Sequence, residues 1–200
     1  MQTRFRSASE SYRFARPTDL NAIVGMLGDD EVGAWLWFVP APPEALRGYF
    51  LPLIEQQWQT LADAEPPTTA IFVVEDAEAQ YLGQGAVMAV EGSVGGFEIG
   101  FQLPKLAWRT GVGTRLAEFL VTWATRLHAP YRLQAGCIEG NAGSRRILEK
   151  LGMRLEGTRP DFRLKGDARH TELEFGMRVA NLDPLLLRRT EARVPFDSEL

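Results

Sequence analysis

Apolar residues follow two periods along this chain. The longest helical stretch is 111–128, where Val112, Leu116, Phe119, Leu120, Trp123 and Leu127 fall on one face. Upstream of it, Ala70–Glu75, Tyr81–Glu91 and Phe97–Leu103 read as strands, rich in β-branched and aromatic residues. The turns between them, Asp76–Gln80 and Gly92–Gly96, make the three a meander. Downstream, Tyr131–Ile138 reads as a strand reached by the helical crossover, which predicts parallel pairing with an earlier strand. Asn141 is placed to cap a helix over Gly143–Leu151, and Gly152 to end it. Two last strands, Met153–Leu164 and Thr171–Val179, are joined at Lys165-Gly166-Asp167.

The N-terminal third is less regular. Residues 1–10 read as a loose leader and Tyr12–Arg16 as a short strand. Thr18 and Asp19 are expected to cap a helix through about Leu27, with Leu20, Ile23, Val24 and Leu27 on one face. Residues 31–60 concentrate aromatics (Trp35, Trp37, Phe38, Tyr49, Phe50, Trp58) and are broken by Pro40, Pro42 and Pro43. Such a cluster is more often core than pocket, with room for one or two rings to line a site or a dimer contact. A helix over Glu44–Leu61 follows, in which Pro52 predicts a kink or a split. Pro66-Pro67 close that unit. Residues 180–200 are an appendix in which Leu185–Leu187 can dock and the last residues fray. The order β-α-α-β-β-β-α-β-α-β-β predicts an α/β (α+β) fold, a mixed and mostly antiparallel sheet of about seven strands flanked by helices.

Composition narrows the chemistry more than the fold. At 200 residues the chain suits one domain with a tail. The single Cys137 excludes an intrachain disulfide and reads as a buried structural thiol. Two histidines, His128 and His170, argue against a metal site, and His170 reads as a hairpin residue. A net charge of −4 argues against a nucleic-acid partner. No apolar stretch approaches the ~20 residues of a membrane span, and the polar start has no signal-peptide core. A cytoplasmic protein is expected.

The candidate chemistry lies at the start of the long helix. A strand ends near Leu103, and the sequence Trp108-Arg109-Thr110-Gly111-Val112-Gly113-Thr114 leads into the helix. A helix N-terminus offers unpaired amides and a partial positive charge, and glycine lets an anion come close to them. Arg109 adds a full positive charge. This suits a pyrophosphate; close helix–strand packing is the other use of Gly111 and Gly113. A dinucleotide fingerprint fits poorly, because Leu116 stands where its third glycine belongs.

With these residues in place, the chain resembles the GCN5-related N-acetyltransferases, and within them the branch acting on ribosomal-protein N-termini. Glu98-Ile99-Gly100-Phe101 followed by residues 108–114 resembles that branch's strand and loop. Asn141, Ser144 and Leu148-Glu149-Lys150-Leu151-Gly152-Met153 resemble its second helix. Leu155-Glu156-Gly157-Thr158 and His170-Thr171-Glu172-Leu173 resemble its tail. The resemblance implies an acyl-CoA N-acyltransferase fold in a domain of residues 1–180, with 12–65 on the acceptor side, 70–180 forming the acyl-CoA core and 181–200 a tail. It implies acetyl-CoA or another acyl-CoA as donor, no metal, and a small amine or a peptide N-terminus as acceptor, with no nucleic acid or membrane partner and a homodimer as an option. The pantetheine arm is expected along the strand ending at Leu103, the pyrophosphate on Arg109, Thr110, Gly111, Val112, Gly113 and Thr114, and a further pantetheine contact at Asn141.

The resemblance leaves the catalytic groups open. Many relatives use a tyrosine to protonate the leaving thiolate; here that position is Leu148, and Ser144 inherits the role. Ser144 can instead simply bond to backbone in the first helical turn. Glu98 can serve as the base that deprotonates the amine, or as a structural carboxylate. A glutamate used by some ribosomal acetyltransferases is replaced by Arg163, with Asp161 and Glu172 as nearby reserves. Trp108 reads equally as packing. Thr110 and Thr114 can donate to phosphate, and Thr114 can equally bond back to its own helix. The alternative to an enzyme is a non-catalytic acyl-CoA-binding sensor or assembly protein.

Overall fold

The computed structural model describes residues 1–196. One eight-stranded sheet runs through the molecule. Its strands are β1 (Arg4–Arg6), β2 (Glu10–Phe14), β3 (Thr69–Asp76), β4 (Tyr81–Ala89), β5 (Gly96–Gln102), β6 (Arg132–Ile138), β7 (Arg154–Lys165) and β8 (Ala168–Arg178). They lie in the order β1-β2-β3-β4-β5-β6-β8-β7, antiparallel throughout except for β5 and β6. The helices are α1 (Leu20–Leu27), α2 (Asp30–Gly33), α3 (Pro43–Ala62), α4 (Val112–His128), α5 (Ala142–Lys150) and α6 (Pro184–Arg193).

Helices cover the sheet unequally. On one face α4, α5 and α6 bury Leu116, Phe119, Leu120, Trp123, Leu148 and Leu186 against Phe14, Phe72, Ile99, Leu133 and Phe175. On the other face α1 and α3 bury Ile23, Leu27, Phe50 and Ile54 against Ile71 and Val73. That second core stops near β4. Strands β5, β6, β8 and β7 therefore show this face a polar set, with Glu98, Gln134, Glu172 and Glu174 alternating with the core-facing Phe97, Ile99, Leu133, Leu173 and Phe175.

Four features differ from those the sequence predicts. The leader is not loose: Phe5 is fully buried and β1 pairs with β2, which makes eight strands rather than seven. The signal was a single apolar residue between two arginines, too short for a periodicity. Asp19 stands at the N-cap of α1, but its side chain makes no capping bond there; its carboxylate accepts from the Arg13 guanidinium and from the Arg16 amide at 2.7 Å. Pro52 does not split its helix. Position 52 is exposed, α3 runs through it, and the residue one turn earlier is Gly48. The appendix contains α6, capped by Asp183, whose side chain accepts from the Leu185 amide. Leu186 is buried while Leu185 is exposed. The expected fraying concerns residues 197–200, outside the described part.

Candidate active site

The parallel pairing of β5 and β6 carries the site. It comprises Gly96 with Arg132, Phe97 with Leu133, and Glu98 with Gln134, and then stops. Beyond that point β5 stays with β4 and β6 stays with β8. The two strands diverge, leaving an opening in the sheet whose closed end is Glu98 and Gln134. The main-chain groups of Ile99–Leu103 facing the opening have no β6 partner, so an extended ligand can be hydrogen-bonded there.

The turn into α4 lies at the open end. Gly111 is the N-cap, with a left-handed φ of 87° that favours glycine. Arg109 is also left-handed at φ 62°. The amides of Gly113 and Thr114 have no hydrogen bond to the chain among the described residues, and Val112 reaches only the Thr110 hydroxyl, at 3.5 Å. Arg109 is exposed and makes no ion pair among the described residues. Two residues here were not foreseen. The Arg115 guanidinium lies beside the turn, where a Cβ on Gly111 would meet its Nη1 at 2.6 Å. Buried Glu10 holds it there, its carboxylate accepting from both Nε and Nη2. No sequence pattern links β2 to α4, so this pair was invisible before the fold.

A Cβ on Gly113 would meet the Leu103 and Ile147 side-chain methyls at 2.8 and 3.0 Å, so this glycine lets β5, α4 and α5 pack closely whatever its amide binds. The Trp108 indole donates to the Leu103 carbonyl at 2.8 Å, and the ring packs against the second core. Thr110 donates to the Ala107 carbonyl, while Thr114 makes no side-chain bond among the described residues. Asn141 caps α5 by accepting from the Ser144 amide at 3.0 Å. Leu148 is core.

Ser144 and Glu98 come to opposite faces of the sheet. Ser144 lies on the α4 face beside Cys137. Burial raises the Cys137 thiol, and a hydrogen bond with the Ser144 side chain opposes that rise. Glu98 points to the polar face, where the Gln134 side chain donates to Oε2 at 3.3 Å. Every neighbouring carboxylate on that face is paired with a cation: Glu156 with Arg132, Glu174 with Arg159, Glu172 with Arg163. Glu98 has no cation among the described residues. Of the reserves, Asp161 sits in an exposed bulge of β7 and Glu172 lies beneath Arg163.

The acceptor-side segment reaches this face. Trp37 stacks on Arg163 at 4.3 Å, Trp35 lies over Gly140, and Lys165 donates to the Gly33 carbonyl. Lys105, just after β5, pairs with Glu31. Among the described residues no group of three His, Cys, Asp or Glu is placed to hold a metal. No described helix is long and apolar enough to cross a membrane.

Comparison with known proteins shows the family and the fold. A family model described as "Acetyltransferase (GNAT) domain" matches residues 12–154. No curated protein matches the chain in sequence. Among solved structures, the ribosomal-protein-S5-alanine acetyltransferase of Vibrio fischeri superposes with a TM-score of 0.74 at 18% identity, covering 92% of this chain and 100% of its own. Mycobacterium smegmatis RimJ, solved with CoA-disulfide, gives 0.74 at 16%, covering 97% of this chain and 95% of its own. Salmonella typhimurium yncA, solved with acetyl-CoA, gives 0.67 at 17%, covering 85% and 94%. At such identities the superpositions speak for the fold.

Proposed function

This chain belongs to the GNAT acetyltransferase family, and from that premise we propose that it acetylates a primary amine by direct attack on acetyl-CoA in a ternary complex. The observation that carries the proposal is the divergence of β5 from β6 at Glu98 and Gln134, with free amides at one end and, at the other, a carboxylate that has no cation among the described residues.

In this reading the amides of Gly111–Thr114, with Arg109, hold the pyrophosphate, and the pantetheine runs along Ile99–Leu103 with Asn141 beside it. The donor's thioester then lies in the opening, between the two faces. The amine arrives on the polar face, where Glu98 attracts the ammonium and takes its proton. Gln134 fixes the carboxylate's position. The sulfur departs toward the α4 face, where the Ser144 hydroxyl can hydrogen-bond it. Most of the rate comes from holding amine and thioester in line. The acceptor is a small amine or a peptide N-terminus.

The test is thiol release from acetyl-CoA across a panel of small amines and peptides, with calorimetry of CoA binding on the same protein. Binding together with turnover of at least one amine is expected. Absence of binding, or binding without any turnover, contradicts the proposal.

A further inference from the structure

The polar half-face carries a second group that the transfer reaction leaves unexplained. Glu172 is only 6% exposed, and its Oε1 lies 3.1 Å from where a Cβ on Gly136 would sit. Its carboxylate thus fills the space over Gly136, two residues or about 7 Å along β6 from Gln134, the anchor of Glu98. Arg163 donates to that one oxygen from both Nε, at 2.8 Å, and Nη2. Its Nη1 makes no hydrogen bond among the described residues. The guanidinium stacks on Trp37 at 4.3 Å and on Phe162 at 4.9 Å, and 27% of the side chain remains exposed. A guanidinium clamped by a carboxylate and by rings has little orientation left to lose, so a second anion can be bound at low entropic cost. Among the described residues the same face therefore holds a carboxylate without a cation at the closed end of the opening and, one short step along β6, a fixed guanidinium with a free N–H edge.

We propose that Arg163 receives a carboxylate carried by one of the two substrates. This rests on the acetyltransferase reading and deepens it: one substrate pairs its amine with Glu98, and an acid group on that acceptor, or on the acyl chain, pairs with Arg163. Glu172 and Trp37 are positioning residues for this contact.

The test compares kcat/KM within pairs that differ by one carboxylate, using the full chain. In one arm a panel of amino acids is offered beside the corresponding amino-acid amides, with acetyl-CoA as donor and rates corrected for the fraction of free amine. In the other arm acetyl-CoA is compared with succinyl-CoA against one neutral amine. A charged hydrogen bond predicts a preference of about tenfold or more for the carboxylate-bearing member in one arm. The arm that shows it identifies the source. The preference should fall to near one in Arg163→Gln and in the double variant Arg163→Gln/Glu172→Gln, which removes both charges together and guards against misfolding around a stranded Glu172. Each ratio is internal to one protein, so a slow variant remains readable. No preference in either arm overturns the proposal, as does a preference that survives in both variants. A protein that binds CoA and acetylates neutral and acidic amines alike keeps the transferase reading and loses this one. A protein that neither binds CoA nor releases thiol loses both.

Discussion

At the scale of single residues, Glu98 and Gly111 are the most diagnostic positions. Glu98 is held by an amide and faces no cation among the described residues, an arrangement that leaves its charge available to an ammonium. Replacing Glu98 by Gln keeps the shape and removes the base. We expect kcat/KM for amines to fall by about 10²-fold or more while CoA affinity changes little. An unchanged rate in that variant would return the role to water. Gly111 occupies φ 87° with Arg115 against its missing Cβ. Gly111→Ala should cost about 1–2 kcal/mol from the left-handed backbone alone and weaken CoA binding as the turn shifts. Calorimetry and a urea transition on the same variant measure both. The loop glycines and their two candidate uses were visible in the sequence, but which glycine meets which neighbours was not. Gly113 is a packing glycine because Leu103 and Ile147 close on it, and that requires knowing how α4, α5 and β5 meet. Gln134 was missed because its significance lies only in register with Glu98.

At the scale of elements, α4, α5 and the β3–β5 meander follow from periodicity and caps, and the structure has them close to the expected limits. The parallel β5–β6 pair followed from the crossover. What periodicity could not give was an element with one apolar residue, such as β1, or one whose pattern is hidden by polarity. Around α6 the buried positions are Leu182 just before it, Leu186 and Thr190 within it and Val194 just after it, a four-residue spacing interrupted by a threonine. Its Asp183-Pro184 start was readable as a cap followed by a first-turn proline. The helix is fastened to α4 by Arg189 and Arg193, which bond the buried Glu118 carboxylate at 2.7 and 3.0 Å. Removing both arginines would strand that charge, so Arg189→Ala/Arg193→Ala should lose about 3–5 kcal/mol in urea unfolding. A loss below about 1 kcal/mol would mean that α6 is held by its leucines alone. Pro52 gives the opposite sign: it is exposed in the middle of α3, and Pro52→Ala should stabilise by about 1–3 kcal/mol.

At the scale of the whole molecule, the sheet is covered on one face by α4–α6 and only half covered on the other. The uncovered half is polar, and it is where substrates can reach the opening between β5 and β6. Acid should loosen this assembly in a defined order. Burial lowers the His128 imidazole, opposed by its bond to the Pro67 carbonyl, while its ring stacks on Phe97 at 4.7 Å. A lowered folded value means that the unfolded chain binds the proton first. The stabilisation is therefore full above the ordinary imidazole range and is lost as pH falls through the folded value. Asp19 and Glu75 come next. Burial raises them, but the Arg13 bonds outweigh it, so both lie below the usual carboxylate range and their contribution disappears at more acid pH. The urea midpoint should decline between pH 7 and 5, and His128→Phe should flatten that decline; an unaltered slope would contradict it.

The central claim is that coenzyme A lies with its pyrophosphate on the turn into α4 and its arm along β5. Hydrogen exchange resolved to single amides, with and without saturating CoA, tests this most directly. Slowed exchange at Gly111–Thr114 and in Ile99–Leu103, with the C-terminal half of α4 unchanged, is the predicted result. CoA bound at saturation with those amides exchanging as before would contradict it.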